Sequence, residues 1–318
     1  MRTGLLARLS LGATLLLVSV GGFTRGSGSG YGCSDRWPLC EDGLLGGLLP
    51  RWEYHMVIEW THRWLAALVG ILAIATAVSA WRNLRHRSDV VIPAIAAVVV
   101  IGIQAWVGRL VVKGDLAADL VSLHLGISMV VVALLTVVVV ATSLPQIDPE
   151  PSGRRRGWTI RVGIAAAASF LLIILGSVVH NRYFPGWPLV DNTLIPDLSN
   201  TMAVVHYLHR LMAGVLLVYL GYLMIVSSQF GIPAVEKRLV VTAGTVYLIN
   251  VGLGAAHVFT MVSSAFLVSA HLGLAAAVWS LLVAATTSSI LLRGVPIARE
   301  PPAGIVGRPN RGAAPLGG

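Results

Sequence analysis

Eight apolar segments, each roughly the 20 residues that a membrane-crossing helix needs, constrain the fold of this 318-residue chain more than any other feature. A hydrocarbon layer of about 30 Å requires that length because an α-helix rises about 1.5 Å per residue. The segments lie at about 4–23, 60–81, 90–112, 121–143, 160–180, 205–227, 239–259 and 266–290. The sequence therefore predicts an all-α integral membrane protein with eight transmembrane helices.

The charged residues explain the orientation of the chain rather than a charged partner. Only 12% of the residues are charged, about half the share in a soluble domain, so lipid is the expected solvent. With the N-terminus in the cytoplasm, 15 of the 23 Lys and Arg residues lie on the cytoplasmic side, as the positive-inside rule requires. Both termini are then cytoplasmic in a cell membrane, and the net charge of +9 needs no nucleic acid to explain it.

The first apolar segment resembles a signal peptide, because Arg2 and Arg8 accompany its apolar run. The following sequence GGFTRGSGSG lacks the small-x-small cleavage site of such a peptide. We therefore expect a retained helix.

An internal duplication divides the chain into two halves. The sequence around His62 resembles that around His209, and the sequence around His124 resembles that around His271, both with an offset of 147 residues. An even number of spans in each half predicts two four-helix bundles of the same orientation, a parallel repeat. We expect the halves at 1–145 and 157–293, a basic cytoplasmic linker at 146–156 and a disordered cytoplasmic tail at 294–318.

The duplication preserves two histidines in each half, at the outer ends of spans 2, 4, 6 and 8. A single interfacial histidine is usually only a polar residue at headgroup level. Four at matched depth indicate ligands instead, because ionisable groups in a membrane are costly. Zinc needs about four ligands in a closed site, whereas haem iron takes two axial imidazoles. The pattern predicts two bis-histidine haem sites, one in each half.

Charged neighbours of these histidines differ between the halves. Arg63 and Arg210 follow the first histidine of each pair, where they either extend to the headgroups or bind a haem propionate. Glu59 lies three residues before His62, and His206 occupies its place in the second half. This carboxyl group is a candidate for proton transfer or for stabilising positive charge, and an ion pair with Arg63 is the structural alternative.

Both cysteines of the chain lie in the first outer loop. This loop has seven more residues before a shared Trp-Pro-Leu sequence than the loop after span 5, and they include Cys33, while Cys40 follows the shared sequence. An extracytoplasmic location favours a disulfide. A structural crosslink and a reversible thiol pair that passes electrons are both open.

Together these residues resemble the haem A synthase family over essentially all eight spans. The resemblance is carried by the GGFTRGSGSG turn, the cysteine pair, Trp-Pro-Leu, EWTHR around His62, HR at His209, and HLG at His124 and His271. It implies a membrane oxidase that converts the C8 methyl group of haem O to the formyl group of haem A for terminal oxidases. Some relatives carry a further cysteine pair in the loop after span 5, and this chain has none.

The resemblance also implies a role for each of these side chains. His209 and His271 would bind a resident haem b as cofactor, and His62 and His124 would bind the substrate haem. Glu59 would be catalytic, with Cys33 and Cys40 as the loop pair. Haem O would be the substrate, and a complex with haem O synthase, an electron-transfer partner and a homo-oligomer are further expectations.

Two other classes of protein remain open. A two-haem cytochrome b that only transfers electrons would use the same four histidines, although haems at one depth do not form a path across the membrane. A repeat-built transporter is less well supported, because the span interiors contain few polar groups. Gln104 and Asn250, in spans 3 and 7, are interpreted as helix-to-helix hydrogen bonds, with contact to a porphyrin edge as the alternative.

Overall fold

The computed structural model describes residues 2–144, 153–181, 195–229, 232–260 and 262–292. Its long helices are α1 (Arg2–Gly26), α2 (Tyr54–Asn83), α3 (Ser88–Lys113), α4 (Ala118–Ser143), α5 (Gly153–Asn181), α6 (Thr201–Gln229), α7 (Ala234–Phe259) and α8 (Ala265–Leu291). All eight are long and apolar enough to cross a membrane. The prediction of an all-α protein with eight such helices is confirmed.

The helices extend beyond the predicted apolar segments. α2 begins at Tyr54, about two turns before the predicted span, because its first turns pack against the preceding loop and need not be apolar. α5 begins at Gly153, inside the range expected for the linker. The rest of that linker up to residue 152, the predicted tail from residue 294 and residues 182–194 of the loop after α5 lie outside the described residues.

The helices contact one another in two cycles. In the first half α1 contacts α2, α2 contacts α3, α3 contacts α4, and α4 contacts α1. In the second half the same order joins α5, α6, α7 and α8. The two cycles meet where α1 and α4 contact α8 and where α4 contacts α5. Within a cycle, α2 and α4 therefore face each other across the interior, as do α6 and α8.

Small residues let α1 and α8 approach closely at the junction of the halves. A Cβ built on Gly26 would lie 2.9 Å from the Cα atom of Ala265, and one built on Gly22 would lie 3.2 Å from that of Ser269. The Ser269 hydroxyl also donates to the Ser19 carbonyl at 2.7 Å. Small residues four apart are a common means of helix association in lipid, where packing rather than water expulsion holds helices together.

We predict that Gly26→Leu destabilises the contact between the halves. The new side chain would meet the α8 backbone, and overpacking of this kind costs about 1–3 kcal/mol. The midpoint of thermal unfolding in detergent should fall relative to the unmodified protein. Gly12→Leu is the matched control on the same helix, since a Cβ there has no atom within 4 Å. Equal midpoints for the two variants would contradict the assignment of this contact.

Candidate functional site

Four histidines occupy equivalent positions in the helices that face each other. His62 and His209 are each the ninth residue of α2 and α6, and His124 and His271 are each the seventh residue of α4 and α8. His62 and His124 thus lie on the facing helices α2 and α4, and His209 and His271 lie on the facing helices α6 and α8. The structure therefore brings together the two histidines of each half and keeps the two pairs in separate four-helix cycles.

Each of these imidazoles lies against a glycine on a neighbouring helix. A Cβ added to the glycine would lie 3.0–3.3 Å from the nearest imidazole atom, in the pairs Gly21 with His62, Gly108 with His124, Gly176 with His209 and Gly254 with His271. A glycine allows such an approach because it has no side chain. Because the opposing residue is glycine, each ring approaches the neighbouring helix closely, and a methyl group there would displace the ring by a few tenths of an ångström.

Two amide side chains lie one turn from two of these glycines. Gln104 precedes Gly108 by four residues, and Asn250 precedes Gly254 by four. Gln104 Nε2 donates to the His124 carbonyl at 2.9 Å and to Ser128 Oγ at 2.5 Å. The predicted helix-to-helix hydrogen bond is therefore present at Gln104.

Several buried polar atoms beside the histidines lack a partner in the part of the chain that the structure describes. They are Nδ1 of His124, of His209 and of His257, Oε1 of Gln104 and Oδ1 of Asn250. His271 Nδ1, by contrast, lies 3.1 Å from the backbone carbonyl oxygen of Asn250. Buried polar atoms without a partner are expensive, so their concentration at the histidines marks both interiors as candidate binding sites.

The second half contains an additional imidazole beside its histidine pair. The His257 ring lies edge-on to the His271 ring, with centroids 5.4 Å apart. His206 lies three residues before His209 on α6, a spacing that places both on the same side of the helix. The sequence comparison missed His257, because the first half has valine or leucine at the corresponding places, 111 and 110.

The Glu59 carboxylate connects the first outer loop to α2. Glu59 is 3% exposed, and its Oε1 atom accepts a short hydrogen bond from Arg63 Nη2. Its Oε2 atom accepts from the backbone N–H of Cys33 at 2.8 Å. The expected ion pair with Arg63 is thus present, and each carboxylate oxygen keeps a second lone pair for another donor.

Arg63 holds the other side of the same loop. Its Nη1 atom donates to the carbonyl oxygens of Arg36, Pro38 and Leu39 at 2.8, 3.3 and 3.4 Å. The described contacts of Arg63 therefore go to Glu59 and to the loop, and contact with a propionate stays a prediction for Arg63 and for Arg210.

The loop itself is closed by the Cys33–Cys40 disulfide, as the sequence analysis predicted. Both half-cystines are buried and pack with Met56, against which Trp60 also lies. Buried at the base of the loop and bonded to each other, they form a crosslink in the described structure. Whether they also exchange electrons stays a prediction.

Further polar contacts attach the loop to the turn between α3 and α4. The Tyr31 hydroxyl donates to Asp115 Oδ1 at 2.8 Å, and Lys113 Nζ donates to Asp35 Oδ2 at 2.7 Å. The Lys113 ammonium lowers the pKa of the exposed Asp35 carboxyl group. The loop therefore spans from α2 to the α3–α4 turn and lies over one end of the first four-helix cycle.

Comparison with known proteins identifies the relatives of this chain. The family model COX15-CtaA, described as cytochrome oxidase assembly protein, matches residues 5–283. A haem A synthase of Shouchella clausii is 32% identical over 258 residues, which are 78% of this chain and 83% of that protein. Haem A synthases of Alkalihalophilus pseudofirmus and an Exiguobacterium species are 30% and 27% identical, over 68% and 78% of this chain and 73% and 80% of their own.

We predict that Arg63→Ala loosens the disulfide loop. Removing one member of a buried ion pair costs about 3–5 kcal/mol, and the loop also loses three hydrogen bonds to its carbonyl groups. Reduction of the Cys33–Cys40 disulfide by dithiothreitol, followed by alkylation and mass spectrometry, should become at least about tenfold faster, since about 1.4 kcal/mol corresponds to a factor of ten. Arg210→Ala, at the equivalent position of the second half, should leave this rate unchanged. An unchanged rate in the Arg63 variant would show that other contacts hold the loop.

Proposed function

Because the chain belongs to the COX15-CtaA family of cytochrome oxidase assembly proteins, we propose that it is a haem A synthase. It is a multi-pass membrane enzyme of haem A biosynthesis that oxidises haem O. The observation that carries this proposal is the arrangement of four histidines as two facing pairs, each within its own four-helix cycle. The relatives' shared name favours this function over a cytochrome b that only transfers electrons.

The residues present fit a haem in each half. Each site offers two imidazoles on facing helices, and the glycines leave room for the rings at the helix surface. Neutral imidazole is a common iron ligand and binds the metal through one of its two ring nitrogens. Haem iron supplies the one-electron chemistry that oxidation of an unactivated methyl group needs and that side chains lack.

We assign different roles to the two halves. The halves at 1–145 and 157–293 form the two repeated bundles, with His209 and His271 as ligands of a resident haem b. His62 and His124 bind the substrate haem O. The cyclic helix contacts and the equivalent helix positions of the histidines support this division, and the first half alone has the carboxylate and the disulfide loop.

Glu59 is the proposed catalytic group of the first half. Oxidation of a methyl group to a formyl group releases protons as well as electrons, so a nearby base is needed. The bonds from Arg63 and from the Cys33 N–H hold the carboxylate in one position, and the remaining lone pair on either oxygen accepts a proton. Arg63 and the loop thereby act as positioning groups for Glu59.

The orientation in the membrane follows from the distribution of basic residues. We propose that both termini are cytoplasmic in the cell membrane and that the disulfide loop is extracytoplasmic, where a disulfide persists. Docking to haem O synthase, to an electron-transfer partner or to a second copy stays a prediction.

The proposal is tested by expressing the chain in a host that makes haem O but no haem A. Extraction and chromatographic separation of the haems should reveal haem A only when the chain is present. Two haem b groups per chain without any haem A would instead favour the electron-transfer protein.

Substitutions at the two sites should separate their roles. Glu59→Gln is predicted to keep haem b in the purified protein and to abolish haem A formation, because the amide has no carboxylate oxygen to accept the proton. His271→Ala or His209→Ala is predicted to lose haem b. Haem content is measured by the Soret absorption and by extraction. Full haem A formation by the Glu59 variant would remove this residue from the mechanism.

The glycine at His271 gives a prediction that leaves every ligand in place. Gly254→Ala would bring a Cβ within 3.1 Å of His271 Cε1, so the ring must shift by a few tenths of an ångström. Retention of haem b should weaken about tenfold, the scale of lost ligand support at metal sites, as measured by transfer of haem to apomyoglobin. Gly252→Ala is the control on the same helix, because a Cβ there meets no atom within 4 Å. Equal retention by both variants would contradict the steric argument.

A further inference from the structure

The side-chain oxygen of Gln104 is a buried acceptor whose direction is fixed by its own amide. The Nε2 atom donates to the His124 carbonyl oxygen and to Ser128 Oγ. A carbonyl oxygen only accepts hydrogen bonds, so the NH₂ group and not the oxygen must face it. Oε1 consequently points away from these two partners, and no described residue donates to it.

An acceptor left in this state is costly inside a membrane. Water is scarce there, and a buried carbonyl group without a donor costs several kcal/mol in an apolar medium. The two hydrogen bonds described for Gln104 both go to α4, one to the His124 carbonyl oxygen and one to Ser128. A ligand that enters the first-half site with a hydrogen-bond donor would satisfy Oε1.

The position of Gln104 restricts which part of a substrate haem it can reach. Gln104 lies four residues before Gly108, the glycine that the His124 ring contacts, and four residues correspond to about 6 Å along a helix. Since α3 ends at Lys113 beside the disulfide loop, this displacement is away from the loop. Glu59 and Arg63 lie on the loop side. Gln104 thus serves the haem edge that is deeper in the membrane.

We propose that Gln104 Oε1 accepts a hydrogen bond from the hydroxyl group on the farnesyl-bearing side chain of the substrate, an inference that rests on the proposed function. Haem O carries this hydroxyl where haem b has a vinyl group, on the porphyrin edge opposite the propionates. A haem O bound with its propionates on the loop side, beside Arg63, would have the hydroxyl on the deeper side with Gln104. This contact makes Gln104 a specificity-determining residue that distinguishes haem O from haem b.

The second half has a different residue at the same place. Asn250 is one methylene shorter than Gln104, and its backbone carbonyl oxygen lies 3.1 Å from His271 Nδ1. Haem b has no side-chain hydroxyl for an amide oxygen to accept from. Asn250 Oδ1 likewise has no donor among the described residues, so an unpartnered amide oxygen is common to both sites and only the additional methylene of Gln104 distinguishes the first half.

A matched pair of ligands and a matched variant test the proposal. The holoprotein with its resident haem b is titrated with haem O and with its dehydrated derivative, which keeps the tail but has lost the hydroxyl, and binding is followed by absorption. The unmodified protein should bind haem O about tenfold more tightly than the derivative, the usual scale for one buried hydrogen bond. Gln104→Met, which has a similar length but no acceptor, should bind both equally.

Control variants keep the outcome interpretable. Ser128→Ala removes one partner of the amide NH₂ but leaves Oε1, so it should keep the preference for haem O. Retained haem b in Gln104→Met shows that the variant is folded.

A preference that survives in Gln104→Met, or that is absent in the unmodified protein, overturns the proposal. After either of these two binding results, conversion of haem O to haem A by the unmodified protein would leave the proposed function standing, and only the role of Gln104 would fail. Failure of the unmodified protein to make haem A counts against the function itself.

Discussion

The two sites depend on a steric constraint, because each imidazole ring lies close against a glycine of a neighbouring helix and a side chain there would displace the ring. The structure meets this constraint four times, with a different glycine for each histidine. In lipid, helices associate through close packing rather than through expulsion of water. A larger side chain at such a contact would push the two helices apart, and they would then lose packing contacts along the rest of their length. The glycines therefore determine where the histidines can be, as the small residues between α1 and α8 determine how the halves meet.

The two halves have the same arrangement of histidines and glycines but different polar groups beside it. In the first half a carboxylate, a guanidinium group and two backbone segments form one network that holds the disulfide loop over the site. In the second half imidazoles occupy the neighbouring places, His206 instead of Glu59 and His257 instead of an aliphatic residue. Charged groups are expensive near lipid, and the pairing of the Glu59 carboxylate with the Arg63 guanidinium offsets part of that cost.

Much of this arrangement could be predicted from the sequence, because periodic and repeated features survive in a single chain. Span length gave the eight helices, and the common offset of 147 residues gave the four histidines. The glycines were missed since a glycine in an apolar helix has many explanations until its neighbour is known. His257 has no repeat partner, and the contacts of Arg63 with loop carbonyl oxygens depend on a loop conformation that no pattern encodes. Gln104 and Asn250 are 146 positions apart, so a search for residues that are 147 positions apart does not pair them.

The hydrogen bonds of the histidines themselves agree with the proposed division of roles. The carbonyl oxygen of Asn250 can only accept, so His271 must carry its proton on Nδ1, which leaves the Nε2 lone pair for iron. His124 has no such partner among the described residues. His209 Nδ1 also has no described partner. The hydrogen bond at Nδ1 therefore distinguishes His271 on α8 from His124 on α4, but it does not distinguish His209 from His124. A partner that fixes a ligand's tautomer and orientation strengthens metal binding by about 10–100-fold. Strong retention suits a resident cofactor, whereas a site that must release its product gains from a ligand held by packing alone.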